Sequence, residues 1–274
     1  MSHNNQKKIA LINDFSGFGR CSIAVALPVL SVMKVQCCPL PTSILSNHTG
    51  FESFFLADFT KQMPAYVDEW KKLDLRFNGI CSGFLASKEQ IEIVEGFFHS
   101  FKREDTVVIV DPVMGDNGRL YSTYTDTLCR EMRKLMKYAD IVTPNLTEAC
   151  LLSDTPYKES YSGKDVQKIA EKIRAMGPKK IVITGIQRGK YIENHCFEGD
   201  LSYIVKTEKV GVIRSGTGDI FTAIVAADAV KGKPLKDSVK KASLFIKKCI
   251  LKAIELDIPR TDGVPFEEVL STLK

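Results

Sequence analysis

The stretch Val107-Val108-Ile109-Val110-Asp111-Pro112 decides the fold: an unbroken β-branched run ends at once in an acid and a proline. A strand with one wet face alternates apolar and polar residues. A run without alternation reads as a strand buried on both faces, as in parallel sheets covered by helices. Ile9–Ile12, Asp140–Val142 and Ile181–Thr184 repeat the pattern. They too end in polar or permissive residues: Asn13-Asp14 after the first, Thr143-Pro144-Asn145 after the second and Gly185 after the third. In open α/β sheets the ligand cleft lies outside the carboxyl ends of the strands. These distant groups are therefore expected to converge on one edge.

Between the strands lie amphipathic helices. Ile91, Val94, Phe98 and Phe101 share one face, and so do Val166, Ile169, Ala170, Ile173 and Met176. Val239, Ala242, Ile246, Cys249, Ile250 and Ala253 mark a long helix with Pro234 in its first turn. Strand–helix alternation predicts an α/β fold, a central and mainly parallel sheet with helices on both faces. Lys190–Thr207 departs from it and reads as a hairpin turning at Glu198-Gly199-Asp200. Pro28 predicts a kink or an early stop in the first helix. No linker, repeat or low-complexity segment divides the chain, so residues 1–274 are expected to form a single domain.

Composition narrows the class. With 44% apolar and 26% charged residues, the chain can bury a large core and is not of disordered, collagenous or coiled-coil type. A net charge of +5 without basic blocks argues against nucleic acid as a partner. The 8 cysteines show no C-x-x-C pair and no zinc spacing, so they read as small buried hydrophobes in a reducing compartment. The polar start Met1–Lys8 and the lack of a long apolar run predict a cytoplasmic protein with no membrane segment.

The strongest local signal is Arg214-Ser215-Gly216-Thr217-Gly218-Asp219, followed by the apolar Ile220–Val230. Glycines before a helix let successive N–H groups turn toward an anion, and the helix end adds roughly half a positive charge. An aspartate there can accept a proton from an alcohol, which suits phosphoryl transfer; alternatively it only complements the helix dipole. Asp111-Pro112-Val113-Met114-Gly115-Asp116 offers carboxylates of the kind Mg²⁺ takes, or an Asx turn. In Thr143-Pro144-Asn145-Leu146-Thr147-Glu148, Glu148 follows Asn145 by three, as a second such group or as a capping box.

Asn13-Asp14-Phe15-Ser16-Gly17-Phe18-Gly19-Arg20 contains G-x-G, but Ser22 replaces the third glycine and no acid follows the next strand. A Walker A loop is absent too. The segment reads as a turn at the substrate site. Ser46-Asn47-His48-Thr49-Gly50 is a polar cluster suited to a pyridine-like ring, or simply a loop.

Asp111–Asp116 as DPVMGD, TPNLTEA at Thr143–Ala149 and SGTGD at Ser215–Asp219 resemble, in this order, the signatures of the ribokinase-like superfamily. LSNHTGF at Leu45–Phe51 and SGFLAS at Ser82–Ser87 resemble the pyridoxal kinase branch, and the likeness spans Ile9 to about Ala253. It implies ATP-dependent phosphorylation of a B6 vitamer, with Asp219 as base and Gly216, Thr217 and Gly218 as the anion hole. It also implies that Asp111 and Glu148, with Asn145, organise Mg²⁺ around ATP, and that Thr184 and Gly185 lie along the phosphates. Asn13 or Asp14, Thr49 and Tyr121 would line the ring site, with His48 and Phe84 nearby. A monovalent cation such as K⁺ and a homodimer belong to the same implication.

The first loop carries Asn13-Asp14 where the family often has serine, and it also resembles the hydroxymethylpyrimidine kinases, a sister branch. The segment Asp116–Tyr121 is shorter than the flap of animal pyridoxal kinases. A hydroxymethylpyrimidine kinase is thus the nearest alternative. A nicotinamide-dependent oxidoreductase is opposed by the broken glycine pattern, and a non-catalytic B6-binding protein by the intact Asp219 motif.

Overall fold

The computed structural model describes residues 5–274; Met1–Asn4, the beginning of the polar start, lie outside the described residues. In chain order the elements are β1 (Lys8–Ser16), α1 (Ser22–Val32), β2 (Gln36–Leu45), β3 (Leu56–Asp58), α2 (Met63–Lys72), β4 (Gly79–Ser82) and α3 (Lys88–Phe101). Next come β5 (Val107–Val110), β6 (Gly115–Asp116), β7 (Arg119–Leu120), α4 (Asp126–Met132), β8 (Ile141–Val142), α5 (Leu146–Leu152) and α6 (Gly163–Arg174). The chain ends with β9 (Lys180–Arg188), β10 (Tyr191–Glu198), β11 (Leu201–Glu208), α7 (Thr217–Ala229), α8 (Leu235–Glu255) and short 3-10 turns.

The nine-stranded sheet has the order β11-β10-β9-β8-β5-β4-β1-β2-β3. From β9 across to β2 neighbouring strands pair in parallel, while β3, β10 and β11 are antiparallel additions at the two edges. β1 lies between β2 and β4, so the winding reverses beside it, which is where α/β sheets place a ligand.

The strand pattern explains why both faces are covered. Ala10, Ile12, Val108, Val110, Ile181 and Ile183 point into the core beneath α2–α6. Ile9, Leu11, Ile109 and Val182, their immediate neighbours, point into the core beneath α1, α7 and α8. Such period-2 alternation between two dry layers requires an all-apolar strand. Each fully buried branched side chain contributes roughly 1.5–3 kcal/mol.

Several expectations change. β1 does not stop at Ile12 but runs to Ser16, so Asn13-Asp14 belong to the strand and not to a loop. The register slips between Asn13 and Phe15, a bulge that leaves both Asn13 and Asp14 buried. Likewise β9 continues through Gly185 to Arg188. α1 runs through Pro28 to Val32 with no early stop. Pro234 caps α8 from outside, one position ahead of its first turn. The hairpin turning at Gly199-Asp200 forms as read, and all the cysteines are free thiols.

Candidate active site

A cleft of about 1320 Å³ opens along the carboxyl edge of the sheet. Asn13, Asp111, Asn145, Gly185 and Asp219 all line it, so residues far apart in sequence do share one edge.

Asp219 sits in the first turn of α7. The helix is capped by Gly216 at φ 78°, a left-handed conformation natural to glycine, and a Cβ there would stand 1.9 Å from the Arg20 carbonyl oxygen. The N–H groups after such a cap have no partner within the helix and point outward at its positive end. Thr217 donates its hydroxyl to the Arg214 carbonyl (3.1 Å), which pins the turn. Burial lifts the Asp219 carboxyl to about 6, even though the Ser22 N–H and the Asn13 amide favour its charged form.

Asp111, just past β5, is bound by Thr222 of α7, whose hydroxyl donates to its Oδ2 at 2.8 Å. Thr222 in turn lies 2.9 Å from the hydroxyl of Thr143, beyond β8, so one hydrogen-bonded chain ties two strand ends to the helix that carries Asp219. Burial first, and the neighbouring Asp219 second, raise the Asp111 carboxyl to about 8.

Asn145 and Glu148 form a complete capping box at the start of α5. The Asn145 oxygen accepts the Glu148 N–H (3.0 Å), and Glu148 Oε2 accepts the Asn145 N–H (2.8 Å). Glu148 Oε1 accepts a third N–H, from Met114 (3.2 Å), and Asn145 Nδ2 donates to the Gly115 carbonyl (2.8 Å). The box thus also anchors the β6–β7 hairpin. Burial, with Asp111 adding to it, holds the Glu148 carboxyl well above the usual range.

Among the described residues no three His, Cys, Asp or Glu side chains cluster to hold a metal. Mg²⁺ does not need such a cage, because it keeps several waters and takes one or two carboxylates plus phosphate oxygens. Two buried carboxyls that repel each other, Asp111 and Glu148, fit a hard cation and its waters.

All six residues expected at the ring site line the cleft: Asn13, Asp14, His48, Thr49, Phe84 and Tyr121. Asp14 accepts the Ser16 hydroxyl (3.0 Å) and is pushed up by burial. Within the polar cluster, Ser46 and Asn47 hold their own loop, through Phe55 N–H (2.9 Å) and the Ser53 carbonyl (2.8 Å). His48 accepts the Gly50 N–H on Nδ1 (3.0 Å) and donates from Nε2 to the Thr261 carbonyl (2.7 Å), joining this loop to the C-terminal segment. Thr184 N–H meets the Pro144 carbonyl (2.9 Å), and Gly185, at φ 74°, donates to Asn194 Oδ1 (3.0 Å).

Other residues enter from places the motifs do not mark. Thr222 was detectable as a polar residue one turn after Asp219 in a mostly apolar helix. The β6–β7 hairpin over the cleft turns at Asn117-Gly118, both with positive φ (51° and 75°), and Asn-Gly is itself a hairpin signal. Arg260 and Thr261 line the cleft from a 3-10 turn with no sequence signal.

A family model described as phosphomethylpyrimidine kinase matches residues 30–262. The chain belongs to that family. Its fold is ribokinase-like, and its activity is that of a kinase. It is similar to the crystal structure of a Bacteroides thetaiotaomicron protein provisionally named a phosphomethylpyrimidine kinase. There the TM-score is 0.97 at 36% identity, covering 100% of this chain and 96% of the other. A second crystal form of that protein, with pyridoxal, gives a TM-score of 0.95 over 98% and 96% of the two chains. Pyridoxal kinase from Lactobacillus plantarum superposes at a TM-score of 0.90 with 26% identity, over 98% and 97%. Hydroxymethylpyrimidine/phosphomethylpyrimidine kinase from Aquifex aeolicus is 26% identical over 90% of each chain. Among the described residues no helix is long and apolar enough to cross a membrane.

Proposed function

We propose that this kinase transfers the γ-phosphoryl group of ATP to the 5′-hydroxymethyl oxygen of a B6 vitamer, pyridoxal, pyridoxamine or pyridoxine. The observation that carries the reading is Asp219: a carboxylate half-buried in the cleft, lifted to about 6, in the first turn of a glycine-capped helix. A base titrating just below neutrality is deprotonated at pH 7 yet basic enough to take a hydroxyl proton. The hydroxymethyl proton passes to Asp219, the freed oxygen bonds to the γ-phosphorus, and the bond to the ADP oxygen breaks. The N–H groups of Gly216, Thr217 and Gly218 stabilise the charge on the transferred group.

Asp111, Asn145, Glu148, Thr184 and Gly185 are assigned to the ATP side, where Asp111 and Glu148 would hold Mg²⁺ and its waters. Bound there, Mg²⁺ supplies charge neutralisation for the phosphate oxygens. Asp14, His48, Thr49, Phe84 and Tyr121 are assigned to the ring side. His48 acts there through its ring face, since both nitrogens are engaged. K⁺ remains a candidate addition. One kinase domain over 1–274, a homodimer and a cytoplasmic setting complete the proposal; the free thiols support the last.

The B6 branch is favoured by the pyridoxal complex of the Bacteroides relative. A hydroxymethylpyrimidine kinase is the second reading, favoured by the family description and the Aquifex relative. ATP consumption across the three vitamers and hydroxymethylpyrimidine decides between them. The highest kcat/KM is expected on a B6 vitamer, and a higher value on hydroxymethylpyrimidine reverses the choice.

A further inference from the structure

We propose that Asn13 is a positioning residue for Asp219, held in a single orientation by the backbone of Gly83 and Phe84, and that it does not read the substrate ring. This rests on the reading of Asp219 as the base.

Asn13 lies on β1 immediately before the bulge, beside the point where the sheet reverses its winding. Its side-chain oxygen accepts two backbone N–H groups, from Phe84 at 2.8 Å and from Asp14 at 3.0 Å. A carboxamide is planar, so fixing the oxygen fixes the NH₂ on the opposite side. That NH₂ donates to Asp219 Oδ1 at 3.2 Å. The flipped amide would turn NH₂ toward two donors and oxygen toward a carboxylate, so every contact would be repulsive.

Gly83 closes the arrangement. A Cβ at Gly83 would lie 2.6 Å from the Asn13 Cγ and Nδ2 and 2.7 Å from its Oδ1. The glycine backbone therefore packs flat on the amide and leaves it no second position. With the Ser22 N–H approaching from α1, the Asp219 carboxylate is held by donors from two separate elements. Asn13 is buried, and its oxygen and one amide hydrogen are spent on these partners, which leaves little to offer a ring.

The test uses the full chain, ATP and the best acceptor from the vitamer panel, with Asn13→Ala, Asn13→Asp, Gly83→Ala and Asp219→Asn. Losing the orientation of a reacting group costs on the order of 10²-fold. Asn13→Ala is expected to lower kcat by about that factor, with little change in acceptor KM. The acid limb of its kcat profile moves to higher pH, since a donor to the charged base is lost. The other ionisable groups around Asp219 are Asp14 on β1, Asp111 after β5, Cys21 ahead of α1, Cys81 on β4 and Tyr121; all remain in these variants. Asn13→Asp, nearly isosteric, sets carboxylate against carboxylate and falls further. Gly83→Ala, which keeps Asn13 but displaces its amide, reproduces both effects and decides the matter if Asn13→Ala does not fold.

Wild-type kcat and pH limb in Asn13→Ala or Gly83→Ala, beside an inactive Asp219→Asn, overturns this proposal and leaves the base reading standing. A raised acceptor KM with kcat intact also overturns it, by assigning Asn13 to the ring. Wild-type turnover in Asp219→Asn removes the base and the positioning role with it.

Discussion

Asp219 stands at the head of a helix where two roles are open to a carboxylate. As a charge complement alone, its replacement by Asn costs roughly 0.3–1 kcal/mol of stability and little turnover. As a base it contributes about 10²–10⁴-fold, and Asp219→Asn is expected to lower kcat by that much while ATP affinity stays close to wild type. Measuring kcat and thermal stability on one preparation separates the two. The same residue sets a pH dependence. Burial lifts its carboxyl to about 6, and the base must be deprotonated. The wild-type kcat should therefore be level above neutrality and fall about tenfold per pH unit below 6. A level profile down to pH 5 contradicts the assignment.

At the scale of elements, the two helix starts in the cleft can be tested independently. In α7 the cap must be glycine, because φ is 78° and a side chain would collide with the Arg20 carbonyl. Gly216→Ala should destabilise by at least the ~1–2 kcal/mol of a left-handed residue, and should lower kcat by tilting the N–H groups. Normal kcat with only a lower Tm would dissociate the cap from the anion hole. In α5 the capping box makes Glu148 structural before it is anything else. Glutamine also closes a capping box with its oxygen, so Glu148→Gln keeps the helix start but removes the charge and the acceptor for the Met114 N–H. The expected result is a higher Mg²⁺ requirement in a protein that still folds and melts cooperatively. An unchanged Mg²⁺ requirement assigns Glu148 to the cap alone.

For the whole molecule, the buried carboxyls at one end of the sheet carry a cost that depends on pH. Asp111 moves from 3.8 to about 8 on folding, because burial and then Asp219 disfavour its charge. The folded state therefore holds this proton where the unfolded chain has released it. The resulting stability is fully present below pH ~3.8 and is lost as pH rises toward 8. Asp111→Asn removes the dependence. Its melting temperature relative to wild type should rise between pH 5 and pH 8.5 in EDTA, and Mg²⁺ should narrow the gap at the upper end. A gap independent of pH would mean that Asp111 ionises normally in the fold.

The strand runs, the helix faces and the glycine-flanked Asp219 were legible in the residues themselves, because periodicity and cap chemistry are local properties. The buried strands Val107–Val110 and Ile181–Ile183 can satisfy an all-apolar sequence only between two layers of helices, and that implied the sheet. Strand order, by contrast, arises from pairings between distant segments, and it alone brings Asn13 of β1, Asp111 after β5 and Asp219 of α7 to one cleft. The extension of β1 through the Asp14 bulge and the passage of β9 through Gly185 were not readable, since both are decided by the neighbouring strand's backbone and not by propensity. The same holds for Asn13. Its sequence neighbours cannot say that Gly83 lies flat against its amide, because that contact exists only once β1 and β4 are side by side.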